Sequence, residues 1–416
     1  MYIVGSYVVS TLSGMRFADF VENRIFKSLS MRSSTYSINT ATQTGRYTDT
    51  WTSFGRSIPH WNEVEFEDLM AGPAGVISSV EDLVRHAIWS TSVFDSRLEQ
   101  ALWTRVFLNG GIDPATNVTI IPSAGFDAVT SAHSIASPDA SAQSSTNVYG
   151  LGWGRLSYAG HDVSERLCLL PCTCLDARLK VILHNGGAPG VTSLIVAAVE
   201  DGVAVVVLVN ADSKDESALN IVLKAAEIAF SSTNTSSSPP PATSSATPPA
   251  LPSTIPRSTL PRHAGVAARA FSPGTPPSLD LAGTYYSAGY GAIVLCNMQS
   301  SGPSCDGVLN DFRTLNKSLS SDSTDLFASY DSPWTSHIQL TYTNASQYLM
   351  YLGTVYPEGY GKNSTPFSTL EPATIVQFVV ENAEVVGFGL NDTADSDLTH
   401  GGSVEETSQV WFVKQA

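Results

Sequence analysis

Residues 231–278 are written almost entirely in Ser, Thr, Pro and Ala, with Ser236-Ser-Ser-Pro-Pro-Pro-Ala as a typical run. So few large apolar side chains cannot offset the entropy of ordering a backbone, which costs about 1–2 kcal/mol per residue. No single hydrophobic core can therefore run through this stretch, and it reads as an extended linker open to O-glycosylation. The chain is expected to fold as two bodies, residues 1–230 and residues 279–416.

The first body mixes two periodicities. Val4, Tyr7, Val8, Thr11 and Leu12 share a helical face that Gly14 ends, and a second helix begins near Phe17 with Phe20, Val21, Ile25 and Leu29 on one side. Gly72 and Gly75 read as a turn before a third helix, capped by Ser78 with Glu81 or by Ser79 with Asp82, with Leu83, Ala87 and Ile88 inward. Tyr149 to Leu156 alternates like one strand. Leu194–Val199, the turn Asp201-Gly202 and Val203–Val209 predict a β-hairpin with both faces covered. Ser213 then caps a helix that turns Ala218, Ile221, Val222, Ala225 and Ile228 inward. Helices, an antiparallel hairpin and a final helix across the sheet favour an α+β domain. The second body, from Leu279 on, shows short alternating strands with Gly, Asn and Asp turns, the pattern of a small all-β barrel or curled sheet.

Charge narrows the partners. A net charge of −16 with only 14% charged residues repels a phosphate backbone, so nucleic acid is not an expected partner. No apolar run approaches the roughly 20 residues of a membrane span. Met1-Tyr-Ile-Val-Gly lacks the basic and apolar regions of a signal peptide. Asn-x-Ser/Thr triplets at Asn117, Asn234, Asn316, Asn344, Asn363 and Asn391 nevertheless point to a secreted protein, against the alternative that a Ser/Thr-rich chain produces them by chance. Cys296 and Cys305 lie close enough to pair. His-Glu-x-x-His and paired Cys-x-x-Cys are absent from the sequence, and no metal is expected.

Four motifs carry a family resemblance. Phe17-Ala-Asp-Phe-Val-Glu-Asn-Arg-Ile-Phe-Lys-Ser-Leu-Ser-Met, Ala71-Gly-Pro-Ala-Gly-Val-Ile-Ser-Ser-Val-Glu-Asp-Leu, Tyr149-Gly-Leu-Gly-Trp, and Gly160-His161 followed by His184-Asn-Gly-Gly-Ala-Pro-Gly occur in this order. Together they resemble the β-lactamase-related serine hydrolases, the class C β-lactamase and penicillin-binding-protein-like group, closest to a fungal branch with a C-terminal lipocalin-like β domain. The resemblance implies a partial β-lactamase-like α+β domain, an antiparallel sheet with helices, over residues 1–230, then the linker and an all-β, barrel-like domain.

Such enzymes need an activated hydroxyl and two backbone N–H groups for the tetrahedral oxyanion. The family supplies the hydroxyl from Ser-x-x-Lys, a second acid/base from Tyr-x-Asn, and the far wall from Lys-Thr-Gly or His-x-Gly on an edge strand. Only the last is visible here. The seven lysines are preceded at the serine spacing by Arg24, Ala177, Ala211, Ile221, Thr314, Gly359 and Trp411, so the sequence contains no Ser-x-x-Lys. Tyr342-Thr-Asn344 fits the second motif but falls in the β domain and reads as coincidence. Aligning Tyr2-Ile-Val-Gly-Ser with the family's Tyr-x-x-x-Gly helix places the true Tyr-x-Asn just before Met1 and the serine further upstream. The resemblance then assigns His184 to the pocket wall, Gly187 N–H to the oxyanion, and Asn185 and Gly186 to substrate contact, with Asn185 bracing the strand. A His that merely ends a sheet strand is the competing reading of His184. His60, His133 and His161 read as structural or surface groups. Trp51, Phe54, Pro59, Trp61 and Phe66 either line an acyl pocket or pack a loop against the helices.

The stretch 163–183 separates Gly160-His161 from His184 by more than the family's spacing. It reads as an insertion, first as a translated intron, with a disulfide-bearing loop or Cys-rich metal clip built on Cys168, Cys172 and Cys174 as alternatives. In the β domain the resemblance implies a Cys296–Cys305 staple on a hairpin and a role in oligomerisation, with a second copy as partner, or in covering the active site. The function implied is acyl-enzyme hydrolysis of a small-molecule or peptide amide or ester, without a cofactor. With its nucleophile segment missing the chain is expected to be inactive, its sheet left with an exposed edge and apolar face. The alternative is a non-catalytic secreted protein whose β domain binds a partner or a glycan.

Overall fold

The computed structural model describes residues 1–61, 64–84, 103–137, 146–158, 179–233, 280–344, 346–391 and 402–415. Two compact units divide the chain, Met1–Pro261 and Arg262–Ala416. The expected linker lies outside the described residues except at 231–233, which continue a helix. Cys168, Cys172, Cys174 and His161 also lie outside them.

The first unit opens with helix α1, Tyr2–Ser13, which Gly14 ends in the left-handed conformation at φ 67°, its N–H bonded to Ser10 O. The apolar face read from the sequence is there, but it faces solvent: Tyr7 is 71% and Leu12 83% exposed. The buried side carries Ser6 instead, because α1 leans on helix α4, Glu67–Ala74, at Gly72. A Cβ on Gly72 would stand 2.5 Å from Tyr2 O and 2.7 Å from Ser6 Oγ, so only glycine permits this approach. The segment read as a Gly-rich turn is thus itself a helix, held by the burial of Met70 and Ala71 and running through Pro73 to Ala74.

Helix α2, Phe17–Val21, runs on into one π-helical turn, Glu22–Phe26, and buries Ala18, Val21 and Phe26 against Leu29, Met31 and Tyr36. Helix α3, Ile38–Gln43, starts at Ser37, whose Oγ accepts the Thr40 N–H. Helix α5, Val80–Val84, begins with Ser79 accepting from Asp82 N–H. The Asp82 carboxylate does not complete a capping box there. It is buried and accepts from Ser33 N and Ser34 Oγ, pinning the preceding loop. Ala87 and Ile88 lie outside the described residues.

Helices α6, Trp103–Leu108, and α7, Ser123–Thr130, cover one face of a six-stranded antiparallel sheet. The small hairpin of β1, Thr50–Trp51, and β2, Ser57–Ile58, stands outside that sheet. The sheet is ordered β3 (Ser134–Ser137), β4 (Asn147–Tyr149), β5 (Gly154–Tyr158), β6 (Leu179–Ala188), β7 (Val191–Ala198), β8 (Val203–Val209), which leaves β8 at an edge. Tyr149 to Leu156 is two strands rather than one: Gly152 takes φ 94° and Gly150 N–H bonds to Trp153 O, which turns the chain. Residues 179–183, counted in the suspected insertion, are strand and pair with β5 from Tyr158↔Leu179 to Gly154↔Leu183. The hairpin β7–β8 closes at Ala198↔Val203 with Gly202 at φ 68°. Helix α8, Asp215–Thr233, covers the other face through Ala218 and Val222. Ile221 departs from expectation: it is 53% exposed, one position round from the buried stripe. Ser213 sits at positive φ before the helix, and Ala218 N–H reaches back to Lys214 O.

The second unit is an eight-stranded antiparallel sheet that curls into a nearly closed barrel. Its strands are β9 (Gly283–Ser287), β10 (Gly291–Leu295), β11 (Leu326–Ser332), β12 (Thr335–Asn344), β13 (Gln347–Gly353), β16 (Glu371–Glu381), β17 (Glu384–Asn391) and β18 (Val410–Lys414). They run β10-β9-β18-β17-β16-β13-β12-β11, and a Cys296↔Phe327 bridge joins the two ends. The short pair β14 (Val355–Tyr356) and β15 (Phe367–Ser368) and a one-turn helix α10, Val404–Thr407, complete it. Tyr285, Phe388, Phe412 and Leu340 fill the interior, each such side chain contributing about 1.5–3 kcal/mol on burial. Helix α9, Pro303–Leu315, interrupts the expected strands: with Pro303 at its start and Cys305, Val308, Leu309 and Phe312 at helical spacing, it lays that stripe against Phe327. The Cys296–Cys305 disulfide therefore staples the end of β10 to the first turn of α9, not two strands of a hairpin. Among the described residues no helix is long and apolar enough to cross a membrane.

Candidate active site

His184 lies in the second half of β6, where the strand changes neighbours. β5 pairs with β6 only as far as Leu183, whereas β7 continues from Ile182↔Ala197 to Ala188↔Val191. From His184 to Ala188, β6 thus keeps a ladder partner on one side and, among the described residues, presents an open edge on the other.

The His184 imidazole meets groups from two distant segments. The Tyr2 phenol, from the first residue of α1, lies 3.2 Å from Nε2, with the two rings edge to face. The Tyr2 hydroxyl also shares a hydrogen bond with the hydroxyl of Tyr149, the last residue of β4. Trp153 stands edge-on to the imidazole at 6.4 Å and rests on Phe107 at 4.7 Å. Gly150 allows this convergence: a Cβ there would come within 2.6 Å of the carbonyls of Val129 and Ser131, so the chain after Tyr149 hugs the end of α7.

Burial lowers the His184 pKa from its usual 6.5, and a backbone hydrogen bond at Asn185 opposes the shift in part. The imidazole is neutral at pH 7. Tyr149 is displaced upward, first by burial and then by its hydrogen bond to Tyr2, and keeps its proton. A neutral imidazole within hydrogen-bond reach of a phenol has one ring nitrogen to donate and one to accept, the equipment of a general acid or base.

Gly186 faces Ser193 so closely that a Cβ would stand 2.5 Å from Ser193 Oγ. Gly187 is exposed, opposite Thr192, with nothing within 4 Å of where a Cβ would be. Asn185 is half-buried opposite Leu194. The four sequence-assigned residues therefore share one strand end. Tyr2, Tyr149 and Trp153 were not assigned, although Tyr2 begins an aligned helix and the other two bound the Tyr149-Gly-Leu-Gly-Trp motif. Two residues before Tyr149, the buried Asn147 keeps an Oδ1 that finds no hydrogen-bond partner among the described residues.

The aromatic loop near this strand end is an anchor. Gly190, at φ 83°, abuts Thr50 with no room for a Cβ, and its N–H donates to Asp212. Asn210 holds Thr48 and the Asp49 carbonyl, each at 3.0 Å. Trp51 and Phe54 remain exposed, and Trp61 and Phe66 gather with Tyr36 and Met70. His60 stacks on Tyr47 at 4.1 Å, and His133 Nε2 contacts Ala128 O at 2.7 Å. Among the described residues no group of His, Cys, Asp and Glu is arranged to hold a metal ion.

A family model described as Beta-lactamase matches residues 1–229. The chain belongs to the beta-lactamase family. Three solved structures are similar to this family member. The octameric penicillin-binding protein homologue from Pyrococcus abyssi is 12% identical, with a TM-score of 0.38, covering 99% of this chain and 63% of its own. A β-lactamase/D-alanine carboxypeptidase from Pseudomonas syringae is 14% identical, with a TM-score of 0.35, covering 55% and 57%. A class C β-lactamase from Rhodobacter sphaeroides is 16% identical, with a TM-score of 0.36, covering 55% and 58%. The chain thus spans less than two thirds of the length of each. No curated protein matches it in sequence.

Proposed function

We propose that this member of the beta-lactamase family forms the strand-side wall of an acyl-transfer site that hydrolyses small amides or esters through a covalent acyl-enzyme. The observation that carries this reading is the open edge of β6 from His184 to Ala188, with a neutral imidazole at its start. A carbonyl laid along that edge would find backbone N–H donors, Gly187 being the one assigned to the developing oxyanion, and no side chain at Gly186 or Gly187 to hold it off. Tyr149 and Tyr2 share a hydrogen bond and Tyr2 in turn meets His184 Nε2, so the imidazole is steadied against the substrate's carbonyl or carboxylate. Asn185 braces the strand.

The 416 residues contain no Ser-x-x-Lys, the pattern this reading requires for the attacking hydroxyl. In this reading the nucleophile and its base come from outside this sequence, and the chain alone is inactive. The substrate classes that suit the site are D-amino-acid peptides, lactams and small acyl esters. The barrel, read as the lipocalin-like domain of the fungal branch, would cover the site or join two copies. The same missing motif favours a second reading, a non-catalytic protein whose barrel binds a partner or glycan.

The purified chain should not turn over a chromogenic lactam or a short acyl ester. A longer product of the same gene that contains Ser-x-x-Lys should do so, with kcat/KM falling about 100-fold on His184→Ala. Hydrolysis by the present chain, abolished by His184→Ala, would overturn the need for an outside nucleophile. An unchanged kcat/KM in the longer His184→Ala variant would remove His184 from the site, and a longer product without activity would favour the non-catalytic reading.

A further inference from the structure

Four of the Asn-x-Ser/Thr triplets have an asparagine whose side chain is described, and the fold sorts them sharply. Asn117, Asn316 and Asn363 are exposed, whereas Asn391 is only 9% exposed. Asn117 tops a tight loop at φ 57°, its N–H bonded to Asp113 O while Asp113 N–H bonds to Val118 O. Asn316 ends α9, and its Oδ1 accepts the backbone N–H of Ser318, the third residue of its own triplet, at 3.1 Å. Asn363 repeats the arrangement, its Oδ1 accepting from Thr365 N–H at 3.0 Å. Asn391 is different in kind. It is the last residue of β17, paired with Ile375, and its carbonyl accepts from Thr374 Oγ1 at 2.6 Å.

A second observation concerns the compartment. The Cys296–Cys305 disulfide sits where α9 closes the barrel, and such bonds persist in oxidising, secretory surroundings. We infer that the protein passes through a secretory compartment and carries N-linked glycans at Asn117, Asn316 and Asn363 but none at Asn391. The donor is a lipid-diphosphate-linked oligosaccharide. A bond forms from asparagine Nδ2 to the anomeric carbon of its reducing sugar, the lipid diphosphate leaves, and the amide loses one proton. The transfer acts on an extended chain, so the fold acts afterwards as a filter. A glycan at an exposed loop is accommodated, whereas one on Asn391 would force β16 from β17 and keep the barrel from closing. Folded molecules therefore leave Asn391 bare.

The test uses full-length protein purified from the cells that make it, from both medium and lysate. It is treated with peptide N-glycosidase in heavy-oxygen water and mapped by mass spectrometry. Heavy-labelled aspartate is expected at positions 117, 316 and 363, with unmodified asparagine at 391. Unmodified asparagine at any of the first three positions, or label at 391, overturns the inference. Asn316→Gln and Asn363→Gln should each remove the mass of one glycan, a loss that a change in folding alone would not produce. This outcome is independent of whether the β6 edge takes part in hydrolysis.

Discussion

The phenolic oxygen of Tyr2 lies 3.2 Å from Nε2 of His184, although 182 positions separate the two residues in the chain. That contact ties α1 to the strand that carries the candidate site. The imidazole is half-buried there, and burial favours its neutral form.

Stability of the first unit should depend on pH through His184. Its folded pKa lies below 6.5, so between these two values the unfolded chain binds more protons than the folded one. The contribution is fully present above pH 6.5 and is lost as the pH falls from there through the folded value. His60, also lowered by burial, acts in the same direction. Urea midpoints measured from about pH 7.5 down to about pH 5 should fall, and His184→Gln should show a shallower fall. An identical slope in the variant would mean that His184 titrates in the fold as it does in the open chain.

The β6–β7 turn should tolerate no side chain at Gly190. Gly190→Ala meets both a left-handed backbone and Thr50, and should cost about 2–4 kcal/mol in chemical denaturation. Gly202→Ala at the β7–β8 turn shares the positive φ but has nothing within 4 Å, so it should cost only about 1 kcal/mol. Equal losses would show that the Thr50 contact carries no weight.

Removing the disulfide should destabilise the barrel. Cys296 and Cys305 are 9 positions apart, and closing so short a loop is worth about 2–3 kcal/mol. In calorimetry, Cys296→Ser with Cys305→Ser should lower the transition of the second unit and leave that of the first in place. A fall in both transitions would contradict the division into independently packed units.

What was legible beforehand is what a few neighbouring residues can encode. The apolar run around Asp201-Gly202 allows little besides the β7–β8 hairpin, and Gly14 ends α1 as read. Legibility failed where a partner from elsewhere decides. Gly72 and Gly75 read as a turn, yet residues 67–74 form a helix, on which α1 packs at Gly72. A cysteine spacing of nine suits a hairpin or a helix start equally, and Phe327 and Val308 select the helix.

The sequence by itself determined that the chain divides into two bodies, the antiparallel core of the first, and the strand carrying His184, Asn185, Gly186 and Gly187. Only the tertiary structure decided that the pairing of β5 with β6 stops at Leu183, and that Tyr2, itself bonded to Tyr149, and Trp153 meet the imidazole. The reason is range. Backbone preference and hydrophobic periodicity act over a few residues, whereas a proton's environment depends on which distant surfaces find each other when the core closes.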